Sequence, residues 1–182
     1  MAFSLSSGNI DMFLFASLSL SFLYPTKSDL VADICFRSTI DPQYCIQALR
    51  SDPRSPTADL PTLAKISIDL AQTTTKSIAI LVQSLMQRAN ETKLKEIYDS
   101  CLENYNDTFD NLNDCINYLN KKDYESLNIY ASAALDGPDT CDDNLNDQSP
   151  AAEPDELKQA SKHVQELASA VCAIASKLQG KI

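Results

Sequence analysis

The sequence predicts an all-α protein: an up-down four-helix bundle preceded by a short disulfide-clipped helical hairpin. Three observations lead there. Apolar residues recur at three- and four-residue steps through four long runs, the pattern of helices with one buried stripe. No segment alternates apolar and polar residues at period two for long enough to make a strand. Clusters of Pro, Asp and Ser separate the runs, and the short connections favour antiparallel neighbours. With 182 residues the chain is long enough for one domain with a sizeable core.

Residues 1–28 stand apart from that body. The apolar run MFLFASLSLSFLY at 12–24 is too short for a bilayer span, which takes ~20 residues, and suits the apolar core of a secretory signal peptide. Pro25 ends the run, and the small residues Thr26 and Ser28 allow cleavage after Ser28. The segment ahead of it carries Asp11 and no Lys or Arg, unlike the usual positive start, so a buried N-terminal helix is the competing reading. The expected division is a signal peptide at 1–28 and a mature domain at 29–182, with the hairpin at 29–51 and the bundle at 58–180.

The hairpin comes first. Residues 29–38 and 42–50 make two short helices around Thr39-Ile40-Asp41-Pro42. Asp41 is placed to cap the second, with Pro42 at its first position. The loop SDPRSPT at 51–57 leads to a long run at 58–89, where Leu60, Leu63, Ala64, Ser67, Ala71, Thr74, Ile78, Leu81 and Leu85 keep the helical step. After Asn90 a second run at 92–120 carries Leu94, Cys101, Tyr105, Thr108, Leu112, Cys115 and Leu119. Asp123 is placed to cap a third helix at 124–136, which Gly137-Pro138 is expected to stop. A polar loop at 142–153 then reaches Pro154 and a last helix with its seam on Leu157, Val164, Leu167, Val171, Ile174 and Leu178.

Six cysteines fit an oxidising compartment. Cys35 and Cys45 bracket the hairpin, and a bridge between them would clip its arms. Cys101 and Cys141 can meet if the second and third long helices are antiparallel neighbours. The chain-entropy model gives such bridges ~3 and ~4 kcal/mol respectively. Cys115 and Cys172 read as two buried free thiols or as a third bridge. Asn90-Glu91-Thr92 and Asn106-Asp107-Thr108 are N-glycosylation acceptors, with Asn90 and Asn106 as the possible sites.

Composition removes several functions. Lys and Arg total 15 against 25 Asp and Glu, a formal net charge of −10. That argues against nucleic acid and against an anionic membrane surface as partners. Only three glycines are present, so there is no glycine-rich phosphate loop, and no cofactor is implied. His163 is the single histidine. It reads as a surface residue rather than a base, and it rules out a histidine metal cluster. Asp139, Asp142, Asp143 and Asp147 lack the spacing of a calcium loop and read as a solvated turn.

The residues resemble the plant invertase and pectin methylesterase inhibitors over roughly 30–180. CFRSTIDPQYC at 35–45 is similar to that family's N-terminal disulfide hairpin. ALRSDPRS at 48–55 and ISIDLAQ at 66–72 are similar to its first loop and helix. CLENYNDTFDNL at 101–112 and DYESLNIYASAALDGPDTC at 123–141 are similar to its second helix pair, with the second disulfide at their ends. The resemblance implies a protein inhibitor, not an enzyme. Some members block acid invertases with a Pro-Lys-Phe type segment. Here the matching stretch is Lys121-Lys122-Asp123-Tyr124 without the Pro, and SLNIYASAALDG at 126–137 is closer to the pectin methylesterase inhibitors. The implied function is therefore that of a secreted inhibitor in the apoplast or cell wall, in a 1:1 complex with pectin methylesterase. Acid invertase is the alternative partner.

The second long helix carries the candidate surface. At ~100° per residue, Asp99, Glu103, Asp107, Asp110 and Asp114 fall within about 80° of arc, opposite the seam of Cys101, Tyr105, Leu112 and Leu119. No Lys or Arg follows any of them by four residues, so like charges work slightly against the helix. By periodicity alone this is a solvated face of an acidic protein. The resemblance implies that Glu103, Asp107, Asp110 and Asp123 contact the partner, and Thr140 with them. The stripe itself adds Asp114. A cleft that binds an anionic polymer offers cationic and aromatic groups, and an acidic helix face can plug it without chemistry of its own. Asn106 falls at the edge of the stripe, so a glycan there and a partner at that edge exclude each other.

Overall fold

The structure, a computed structural model, describes residues 29–38, 41–148 and 153–181. The expected signal peptide at 1–28 lies outside the described residues, as do Thr39 and Ile40 of the hairpin turn. Six α-helices follow in order: α1 (Leu30–Ser38), α2 (Pro42–Ser51), α3 (Leu60–Arg88), α4 (Thr92–Lys121), α5 (Tyr124–Gln148) and α6 (Asp155–Leu178), with a 3₁₀ turn at Ser55–Thr57. No helix is long and apolar enough to cross a membrane among the described residues.

Helices α3 to α6 form the bundle. Each packs on its sequence neighbour, and α3 closes the ring against α6, which leaves α4 and α6 on one diagonal. The core holds small residues as well as large ones. Ala64, Ala71, Ala131, Ala134, Ala168 and Ala175 are buried beside Leu63, Leu112, Leu127, Leu167 and Ile174. Small side chains let the helices approach closely, and buried polar groups bond across the gaps. Ser67 Oγ donates to the Leu167 carbonyl at 2.8 Å, and Asn128 donates to the Cys172 carbonyl at 2.9 Å.

Local sequence explains most helix starts. Asp41 accepts the Tyr44 N–H at 3.2 Å, and Asp59 accepts the Thr62 N–H at 2.9 Å, each with a proline inside the first turn. The hairpin docks on α6 through charge and stacking. Lys177 meets Asp33 at 2.8 Å, Glu166 accepts the Asp41 N–H at 2.8 Å, and Tyr44 stacks on His163 with ring centroids 3.7 Å apart. His163 is therefore half-buried rather than simply at the surface, and burial lowers its pKa. Arg54 bridges Asp52 and Asp69 at 2.7 and 3.0 Å, which pins the loop before α3 onto that helix.

The third long helix departs from the sequence expectation. Gly137-Pro138 does not stop α5, which runs on to Gln148 and turns most of the expected 142–153 loop into helix. A proline inside a helix costs a hydrogen bond and crowds the preceding turn, ~3 kcal/mol in isolation. Packing offsets that here. Pro138, Cys141 and Leu145 are all buried, and they extend the seam of Leu127, Ala131 and Ala134. Gly137 faces α4 so closely that a Cβ would lie 2.4 Å from the Asn104 carbonyl oxygen. Cys141 thus sits within α5, not past its end, and is bonded to Cys101 of α4.

Candidate functional site

The stripe on α4 is real surface. Asp99, Glu103, Asp107 and Asp110 are exposed and Asp114 is half-exposed. Among the described residues none of the five has a cation within ion-pair distance. Asp114 accepts a long bond from Asn117 at 3.4 Å. An unneutralised row of carboxylates spanning four helical turns is an uncompensated local field, available to a cationic partner.

Two flanks frame the stripe. On one, Asn113 accepts from Gln72 at 2.9 Å, and Lys76 Nζ lies 4.6 Å from the Phe109 ring centre, so this is the α3 side. On the other, Thr108 and Asn104 meet Gly137, and Tyr118 stacks on Tyr130, so this is the α5 side. Asn106 lies on the α3 edge. Asn106 is exposed at the margin of the stripe, so a glycan there and a partner seated at that margin exclude each other, whereas a partner seated toward α5 avoids it. Asn90 is exposed in the link between α3 and α4.

The Cys101–Cys141 bridge, with Cα atoms 4.9 Å apart, sets the register of α4 against α5. In that antiparallel register Thr140, exposed, stands at the level of Glu103. Its hydroxyl donates to the Asp136 carbonyl at 2.7 Å. Ile129, Ala133, Asp136 and Thr140 recur at helical spacing along one side of α5, beside the α4 stripe. Glu103, Asp107, Asp110, Asp114 and Thr140 therefore share one two-helix face.

Asp123 stands at the far end with a structural duty. It accepts the Ser126 N–H at 3.1 Å and the Ser126 hydroxyl at 2.8 Å, capping α5. The Ser126 N–H holds its carboxyl below the usual range. The turn before it closes on Lys122, whose φ of 57° is left-handed, with Asp123 N–H donating to the Tyr118 carbonyl at 3.0 Å. The Lys121–Tyr124 stretch is thus a tight interhelical turn.

The apolar surface at one end of this face was not visible in the sequence. Tyr118 and Tyr130 stack with centroids 5.0 Å apart, and Ile129 leaves 59% of its surface exposed. Only the spacing from Ile129 to Thr140 hinted that Ile129 shares the face.

The remaining titratable groups do not assemble an active site. Among the described residues no group of three or more His, Cys, Asp or Glu is arranged to hold a metal ion. Asp139, Asp142, Asp143 and Asp147 lie on α5, not on a loop. Asp142 accepts the Ser161 hydroxyl at 2.7 Å, and burial raises its pKa. Cys115 and Cys172 are free thiols, and burial pushes them up to about 12 and about 11, so neither is a poised nucleophile. A cleft of about 530 Å³ opens beside the hairpin, with Leu30, Val31, Pro56 and Leu63 in its walls and the Asp29–Arg50 ion pair beside them. None of its lining residues lies on α4 or α5.

The plant invertase/pectin methylesterase inhibitor family model matches residues 29–174. The chain belongs to that family. The family is one of protein inhibitors. The chain is 40% identical to the pectinesterase inhibitor of Actinidia deliciosa over 190 aligned positions, covering 99% of both chains. It is 29% identical to the cell wall / vacuolar inhibitor of fructosidase 2 of Arabidopsis thaliana, covering 89% of this chain and 92% of that one. The fold matches a crystal structure of a mutant form of an Arabidopsis pectin methylesterase inhibitor. The TM-score is 0.71 at 26% identity, over 82% of this chain and 97% of the other. The all-α bundle with its clipped hairpin is accordingly the family fold.

Proposed function

We propose that this chain is a secreted inhibitor of pectin methylesterase that plugs the enzyme's substrate cleft with the α4–α5 face, in a 1:1 complex in the cell wall. The observation that carries the reading is the end-to-end 40% identity with a pectinesterase inhibitor. The acidic face supplies the mechanism. Glu103, Asp107, Asp110 and Asp114 approach the cationic groups that an enzyme of anionic pectin presents, with Thr140 at one end and Asp123 at the other. Charge complementarity speeds association and selects the partner. No bond is made or broken, because a rigid bundle in the cleft excludes the polymer.

Residues 1–28 would serve as the export signal, and an oxidising compartment suits the two disulfides, Cys35–Cys45 and Cys101–Cys141. Asn90, in an open interhelical link, is the better glycan acceptor, and sugar there leaves the face clear. Acid invertase is the second reading, favoured by the 29% identity with a fructosidase inhibitor. The test is a paired titration of the secreted, oxidised protein against a plant pectin methylesterase and a plant acid invertase at about pH 5.5. Loss of esterase activity alone supports the first reading. Loss of invertase activity alone replaces it with the second.

A further inference from the structure

The α4–α5 face has two halves of different chemistry. Toward Cys101–Cys141 it is acidic, with Glu103, Asp107 and Asp110 on α4 and Asp136 on α5. Toward the Lys122 turn it adds apolar surface among the charges of Asp114, Lys121 and Asp123. Tyr118 and Tyr130 lie with ring planes 20° apart. Lys121 Nζ sits 5.2 Å from the centre of the Tyr118 ring. Ile129 stands next to Tyr130 in the chain with 59% of its surface in solvent. Phe36 and Ile80 are the other large apolar side chains so exposed among the described residues. They lie on α1 and α3, off this face. Ile129 alone of the three is continuous with the acidic stripe, through Ala133 and Asp136 to Thr140.

Exposed carboxylates attract over distance but are screened by salt. They contribute more to the rate of encounter than to residence time. Residence time comes from a few apolar anchors that lose their water on contact, and tyrosine is favoured because two torsions fix a large amphipathic surface. The Tyr118–Tyr130 stack holds both rings in place before any partner arrives, which reduces the ordering cost of binding.

We propose that Tyr118, Tyr130 and Ile129 are the anchor of the inhibitory face and set how long the esterase stays bound, while the acidic half sets how fast it arrives. This assignment rests on the esterase reading above. The occupant is that same enzyme. A cleft that holds a polygalacturonate chain needs flat apolar surfaces to stack on sugar rings beside the cations that hold sugar carboxylates. The tyrosine pair meets the first as the carboxylate stripe meets the second.

Association and dissociation rates on immobilised pectin methylesterase test it, using the secreted, oxidised protein as wild type, Ile129→Ser, Tyr118→Ser and Asp107→Lys. A thermal melt checks that each variant is folded. Ile129→Ser changes an exposed side chain, so it is expected to melt as wild type, to dissociate about tenfold faster and to associate within about twofold of wild type. Tyr118→Ser, if folded, dissociates faster still. Asp107→Lys slows association, with a weaker salt dependence, and leaves dissociation nearly unchanged. A folded Ile129→Ser that dissociates at the wild-type rate overturns the anchor. A wild-type protein that does not bind the esterase overturns the esterase reading, and this assignment with it.

Discussion

Replacing Gly137 with Ala tests the closeness of α4 and α5 directly. A Cβ on residue 137 would lie 2.2 Å from Thr108 Oγ1 and 2.4 Å from the Asn104 carbonyl oxygen. The threonine hydroxyl could rotate away, but the carbonyl belongs to the α4 backbone and cannot. Ordinary contact needs ~3.5 Å, so the helices must separate by about 1 Å at this point. The Cys101–Cys141 bridge one turn further along α5 resists that movement. Alanine gains about 1 kcal/mol of helix propensity over glycine, while forced overpacking costs roughly 1–3 kcal/mol. Separating two disulfide-tethered backbones belongs at the upper end of that range, so Gly137→Ala should destabilise by about 1–2 kcal/mol net. Urea unfolding of the oxidised protein, with midpoint and slope both fitted, measures it. The double variant Gly137→Ala, Thr108→Ala should not recover stability, because the Asn104 carbonyl remains. A midpoint at or above wild type would refute the close-packing account of how Thr140 is set beside Glu103.

Other outcomes follow from the same contacts. Burial, with the nearby Asp142 carboxylate, raises Glu153 from 4.5 to about 7. The folded state then holds a proton that the unfolded state releases, so this group's stabilisation is full below about 4.5 and is lost as pH rises toward 7. The residue as a whole is half-buried, but both carboxyl oxygens are out of solvent, so the shift is one of burial. Glu153→Gln should abolish that share of the slope between about pH 5 and 7.5 in chemical denaturation, and a slope identical to wild type would contradict the burial argument. Replacing Cys101 and Cys141 together with Ala should cost ~4 kcal/mol by the chain-entropy model, read as a lower denaturation midpoint. Asp41→Ala removes the α2 cap and the Lys162 ion pair at 3.6 Å. It should cost about 1 kcal/mol and raise hydrogen exchange in α2 before it does so in α3.

Much of this architecture is local in origin, which is why the sequence carries it. Asp41-Pro42 and Asp59 with Pro61 announce helix starts through bonds that span three residues. The seams of α3, α4 and α6 follow from one periodicity each. The end of α5 fails for a physical reason: Gly-Pro is a strong local stop signal, and only burial of Pro138, Cys141 and Leu145 overrides it. The continued spacing from Ala134 to Cys141 and Leu145 was the available clue. Docking of the hairpin on α6 rests on Tyr44–His163 and Asp33–Lys177, pairs far apart in sequence that no pattern links. The site divides in the same way. A single-helix wheel shows the carboxylate stripe, because all five residues are on α4. It cannot show the Tyr118–Tyr130 stack or the level of Thr140, which depend on the register between two helices.

The proposed inhibition rests on the acidic face blocking pectin methylesterase. The most direct measurement is the inhibition constant of the oxidised protein against that enzyme, for wild type and for Asp107→Lys with Asp110→Lys. Both residues are exposed and outside any described ion pair, so the double variant should fold as wild type. Two reversed charges at the centre of the stripe should weaken inhibition by tenfold or more, about 1.4 kcal/mol or greater, with the loss mainly in association rate. Undiminished inhibition by the folded double variant would contradict the account.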